Sequence, residues 1–69
     1  MESTDRQILT LLAKDGRMSY TDIGLETGLS TSAAQQRVRR LEQRGLITGY
    51  RAEISAEALG LVLTAFIAL

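Results

Sequence analysis

Cysteine and histidine are both absent from this chain. Their absence removes disulfides, thiolate chemistry and the usual zinc ligands, so neither a metal nor a cofactor is expected. It also removes the ordinary general base and the thiol nucleophile. The remaining carboxylates are spread over helix termini and surfaces, where capping and macrodipole roles account for them, and catalysis is not expected. Proline is absent too. No Pro-rich linker, repeat or low-complexity tract divides the sequence. Long hydrophobic runs are missing: Leu61 to Leu69 is the longest, nine residues of which only Thr64 is polar, against about twenty for a membrane helix. Met1 to Arg6 is polar and unlike a signal peptide. No membrane association is expected, and a cytoplasmic location follows by elimination.

What is present is small. Sixty-nine residues make one domain, and a domain of this size buries only about 60% of the surface its unfolded chain exposes. With disulfides and metals excluded, a partner chain is the remaining source of extra stability.

Net charge is zero, but its distribution is uneven. Residues 1–29 carry three cations and five carboxylates, and residues 52–69 carry only Glu53 and Glu57. Between them, residues 30–51 hold Arg37, Arg39, Arg40, Arg44 and Arg51 against Glu42 alone, a net +4. All five cations are arginine, whose planar fork suits phosphates and guanine edges. A solvated helix face is the plainer explanation of a charge run, and a run this lopsided on one helix weighs against it.

The periodicity predicts three helices. The first runs from Ser3 or Thr4 to Lys14, with Ile8, Leu9 and Leu12 as its buried stripe and Leu11 beside it. Thr4 and Gln7 suit a capping box and Ser3 is an equally fair cap. Gly16 is expected to take the left-handed position that stops the helix. Ser19 then caps a second helix, Tyr20 to Thr27, with Asp22 in the reciprocal position and Ile23 as its core residue. Gly24 inside that helix costs roughly 1 kcal/mol against alanine. Either the missing side chain lets the third helix pack closely, or the second helix is merely weak. Gly28 ends it, and Leu29 anchors the turn.

Ser30 caps the third helix, about Thr31 to Arg44, and Gly45 ends it. Ala34, Val38 and Leu41 make a narrow apolar stripe at i, i+4, i+7. The opposite face carries Ser32, Gln36, Arg39, Arg40 and Gln43, with Ala33, Gln35 and Arg37 on the flanks. A helix supported along one edge and showing Ser, Gln and Arg on the other has the groups that DNA readout needs: Gln for adenine, Arg for guanine, Ser for phosphate or base. Ser30, Ser32, Gln35, Gln36, Arg37, Arg39 and Arg40 are the candidate contacts, with Gln36 the candidate for base choice. The competing reading is a protein-interaction module, but such a surface should show an aromatic or aliphatic anchor, and this helix has none.

Beyond the third helix, Leu46 to Tyr50 reads as a short strand and turn, and Tyr50 to Ile54 alternates like a half-exposed strand. Ser55 caps a single turn, Ala56 to Leu59, closed by Gly60. Leu61 to Leu69 reads as a strand apolar on both faces, a segment built to lie inside a sheet and prone to self-association if left uncovered.

Three helices of these lengths with a tight glycine turn describe a winged helix-turn-helix, a mainly α fold. The residues Asp5-Arg6-x-Ile8-Leu9, Asp15-Gly16-Arg17, Gly28-Leu29-Ser30, Arg37-Val38-x-x-Leu41-Glu42-x-x-Gly45-x-Ile47 and Gly49-Tyr50 resemble the leucine-responsive/asparagine-operon (Lrp/AsnC) family of transcriptional regulators. Ala58-Leu59-Gly60 with Leu63-Thr64-Ala65-Phe66 resembles that family's linker and the first strand of its regulatory domain. Thr4 replaces a usual hydrophobe, and Thr31 and Ala33 stand where proline is common.

The resemblance implies a sequence-specific regulator that binds double-stranded DNA as a homodimer or higher oligomer. It implies a DNA-binding domain over residues 1–49, a linker strand and helical turn over 50–60, and over 61–69 the first strand of a missing α/β domain. The chain is then a fragment, and an amino-acid effector would bind only through residues absent from it. An arginine is usual at the place of Arg37, which fits either a phosphate contact, the reading preferred at this point, or a salt bridge fixing the helix.

Overall fold

A computed structural model describes the backbone of residues 1–67 and the side chains of residues 1–61. Among the described residues four helices follow one another: α1 (Ser3–Lys14), α2 (Tyr20–Thr27), α3 (Thr31–Gln43) and α4 (Ala56–Ile67). The first three pack on each other, α2 most extensively against α3, with α1 laid across both. Ile8, Ile23, Ala34, Val38 and Leu41 are fully buried where they meet, and Leu9, Leu12, Met18, Leu29 and Ile47 close the core from its edges.

Local chemistry sets most of the boundaries. Ser19 and Ser30 cap α2 and α3, their hydroxyls accepting the N–H of Asp22 at 3.0 Å and of Ala33 at 3.1 Å. Gly28 and Gly45 take φ of 77° and 76°, a conformation only glycine adopts without strain. At Gly28 the chain reverses into Leu29, whose N–H reaches the Gly24 carbonyl at 2.9 Å. α2, this turn and α3 form a helix-turn-helix.

Gly24 is buried. A Cβ there would strike the Leu29 carbonyl oxygen and come within 3.4 Å of the Ser30 carbonyl carbon. Of its two readings, close packing therefore holds. What comes close is the turn entering α3 rather than the helix body.

Several expectations are corrected. Gly16 is not left-handed: α1 ends at Asp15, which is extended at φ −144° and whose Oδ1 accepts the Arg17 N–H at 3.0 Å. That carboxylate makes the turn, so no positive φ is needed. Neither Thr4 nor Ser3 caps α1. Its N-cap is Glu2, whose side chain does not bond the helix and is engaged elsewhere.

No strand occurs among the described residues, so the wing strands expected over residues 46–54 are absent and that segment is irregular. The expected strand from Leu61 is helical through Ile67, and the turn expected to close at Gly60 runs on through it as α4. A strand leaves its N–H and C=O groups unpaired until a neighbour arrives, whereas a helix pairs them within four residues. With no adjoining strand among the described residues and with three Ala and three Leu in α4, the helix is the self-sufficient choice. Ser55 caps it as expected, accepting the Ala58 N–H at 3.1 Å. Ala68 and Leu69 lie outside the described residues.

Candidate nucleic-acid interface

α3 is held by one edge. Ala34, Val38 and Leu41 are at most 2% exposed, and their spacing fixes which side chains face away. Ser32, Gln35, Gln36, Arg39 and Arg40 are all exposed, as are Gln43 and Arg44. Helical spacing gathers Ser32, Gln36, Arg39, Arg40 and Gln43 on a single outward face. It contains no large apolar side chain. Ser30 is exposed too, but its hydroxyl holds the first turn and lies 3.4 Å from that of Ser32.

Arg37 is different. It is half-buried, and its Nη1 donates to Glu2 Oε2 at 2.9 Å and to Asp5 Oδ1 at 3.3 Å. Of the two readings left open for it, the structure displays the salt bridge. These contacts tie α3 to the start of α1, and they hold the Glu2 carboxyl below the usual carboxylate range through the hydrogen bond from Arg37 and its charge. Arg39, Arg40 and Arg44 have no carboxylate at ion-pair distance among the described residues. The outward face is thus cationic and unneutralised.

At the other end of α3, Glu42 accepts the Tyr50 hydroxyl at 2.8 Å. Burial, that hydrogen bond and the nearby carboxylate push the Tyr50 phenol up to about 12. Tyr50 also lines an open groove of about 850 Å³, formed by residues 12–17 and 48–53 and by no residue of α3. Among the described residues no group of three acidic side chains is placed to hold a metal ion. No helix of the described chain is long and apolar enough to cross a membrane.

The pattern-based choice of site residues overlooked Glu2 and Asp5. Asp5 had a visible signal: it stands in register with Ile8 and Leu12 on the buried stripe of α1 and is 7% exposed. A carboxylate on an apolar stripe calls for a cationic partner. Glu2 had none, being a polar residue at an exposed terminus.

The AsnC-type helix-turn-helix domain matches residues 1–42 of this chain. The chain belongs to the Lrp/AsnC family. This Lrp/AsnC chain is 46% identical over all 69 residues to the transcriptional regulator LrpA of Mycobacterium tuberculosis, of which it covers 46%. The LrpA crystal structure superposes with a TM-score of 0.79 at 47% identity, over 87% of this chain and 41% of that one. Escherichia coli AsnC gives 0.74 at 33% identity, over 87% and 40%. A Neisseria meningitidis transcriptional regulator solved as a complex with L-Met gives 0.79 at 30% identity, over 86% and 38%. The chain therefore spans somewhat less than half the length of these relatives, of which the Mycobacterium and Neisseria proteins bear the names of transcriptional regulators rather than enzymes.

Proposed function

We propose that this chain is the DNA-reading part of a transcriptional regulator, with α3 lying in the major groove of double-stranded DNA. The observation that carries the reading is the outward face of α3: Ser32, Gln36, Arg39 and Arg40 exposed on a helix fixed along its other edge, in an AsnC-type helix-turn-helix. Gln36 points straight outward and reads a base. Arg39 and Arg40 bind phosphate or guanine, and Ser30, Ser32 and Gln35 contact the flanking backbone. Phosphate contacts set register and base contacts set sequence.

The finer organisation follows the family. Residues 1–49 form the DNA-binding unit, residues 50–60 a linker, and the residues after it lead toward a regulatory domain. Two chains related by a two-fold axis would present two α3 helices about 34–36 Å apart, so the site is pseudo-palindromic. The L-Met complex of the Neisseria relative supports an amino-acid effector bound through residues this chain does not contain. Such a regulator acts in the cytoplasm.

Selection of binding sites from random DNA tests the reading. Gln36→Ala changes the preference at one position of each half-site, a bidentate pair being worth about 1–3 kcal/mol of discrimination. Arg40→Ala weakens binding to selected and random DNA more nearly alike, as loss of a phosphate contact does. If the Gln36 variant enriches the same site as the parent, α3 is not oriented as proposed. If the parent enriches no site at all and its affinity is indifferent to salt, the chain does not read DNA.

A further inference from the structure

Arg37 joins α3 to α1 through one nitrogen shared by two carboxylates, and the two are not alike. The Asp5 side chain is 10% exposed and stands beside Ile8 on the buried stripe. The Glu2 side chain is 55% exposed, sits at the N-cap without capping, and makes the shorter contact, 2.9 Å. Arg40, one turn further along α3, adds a weaker attraction on the same Glu2 carboxylate. Glu2 thus places a negative charge on Arg37, at the flank of the outward face.

A DNA phosphate offers a guanidinium the same chemistry as a carboxylate, charged oxygens accepting from a planar fork. The two anions compete for one place and repel each other. Asp5 is out of this competition, because it is enclosed by the core and keeps its contact whichever anion occupies the outer position.

We propose that Glu2 is a displaceable counter-charge for Arg37, holding the guanidinium in the free protein and yielding it to a phosphate oxygen of DNA, while Asp5 stays on Arg37 and keeps α3 in place. The proposal rests on the DNA reading above and assigns Arg37 both an internal and an external partner. Glu2 then restrains affinity without touching sequence preference, since phosphate contacts carry no base information. Asp5 is a positioning residue, acting on DNA only through Arg37.

The test is fluorescence anisotropy of the 69-residue chain with a selected duplex and a random one, over a range of salt, with thermal melts to confirm folding. Glu2→Gln should tighten binding to both duplexes by about fivefold at low salt, as an exposed ion pair allows, with the gain fading as salt rises. In an Arg37→Met background most of that gain should vanish. Asp5→Asn should lower the melting temperature and weaken binding to both duplexes. If Glu2→Gln binds no tighter than the parent, or gains equally with Arg37→Met, the proposal is overturned, the latter outcome marking a general charge effect. A parent that binds neither duplex overturns the DNA reading and this proposal with it, an outcome distinct from a parent that binds and a Glu2 variant that matches it.

Discussion

α3 and α4 are opposites. α3 is rich in Gln and Arg, yet it supplies Ala34, Val38 and Leu41, three of the five fully buried hydrophobic residues among those described. α4 is almost wholly apolar in sequence, yet among the described residues it packs on none of the other helices, and Leu59 and Leu61 remain 45% and 69% exposed. Burial here follows pattern rather than composition. An apolar stripe at i, i+4, i+7 gives α3 one direction in which to dock, and Ile8 of α1 and Ile23 of α2 meet it there. α4 is apolar on nearly every side and packs on no other helix among the described residues.

The sharpest way to break this contrast is to truncate one large apolar side chain in each region. Ile23→Ala in the α1–α3 unit should cost about 2–5 kcal/mol, a large part of the stability of so small a domain. Leu61→Ala should change the unfolding free energy by no more than about 0.5 kcal/mol. Urea unfolding followed by circular dichroism reads both. Comparable losses at the two positions would mean that α4 is packed on the core after all.

The two mid-helix glycines sharpen it further. Gly24→Ala gains about 1 kcal/mol of helix propensity but drives a methyl group into the Leu29 carbonyl. A net loss of about 2 kcal/mol is expected, lowering the melting temperature by about 8–16 °C. Gly60→Ala meets nothing within 4 Å, so it should raise helix content while leaving the melting temperature of the α1–α3 unit unchanged.

The smallest effect concerns Tyr50, which ties the irregular segment to α3. Its folded phenol is raised to about 12, above an ordinary value of about 10. The neutral phenol is therefore favoured in the folded state. The stabilisation is fully present below about pH 10 and is lost as pH rises through about 12. Because the ring is half exposed, solvent screens the contact and the loss should stay below about 1 kcal/mol. Absorbance titration of the tyrosinate should show a late ionisation that Tyr50→Phe removes.

Legibility differs between the same two regions. The bounds of α2 and α3 were readable to within a residue or so because each is set by neighbours in sequence, a serine cap before it and a left-handed glycine past its end. Those of α1 followed from its apolar repeat. The outward residues of α3 followed from the same repeat. Two local inferences failed on local grounds. The Asp15 carboxylate makes the turn after α1 where a left-handed Gly16 was expected, and α1 starts from Glu2 with no hydroxyl cap. The tail was misread because eight apolar residues in nine suit a strand or a helix equally, and periodicity alone does not separate them.

By itself, then, the sequence determined the three-helix unit, its turn and the polar face of α3, since caps, glycine conformations and a 3.6-residue repeat act over a few residues. Only the tertiary structure decided what lies across the fold. Arg37 meets Glu2 and Asp5 over separations of 35 and 32 residues, and nothing in an arginine's own surroundings says whether carboxylate or solvent awaits it. Gly24 looks like a weak point in a helix until the Leu29 carbonyl arrives against it. Whether residues 61–67 form a strand or a helix depends on the presence of a neighbouring strand, because backbone groups that a sheet partner would satisfy are otherwise satisfied within the segment.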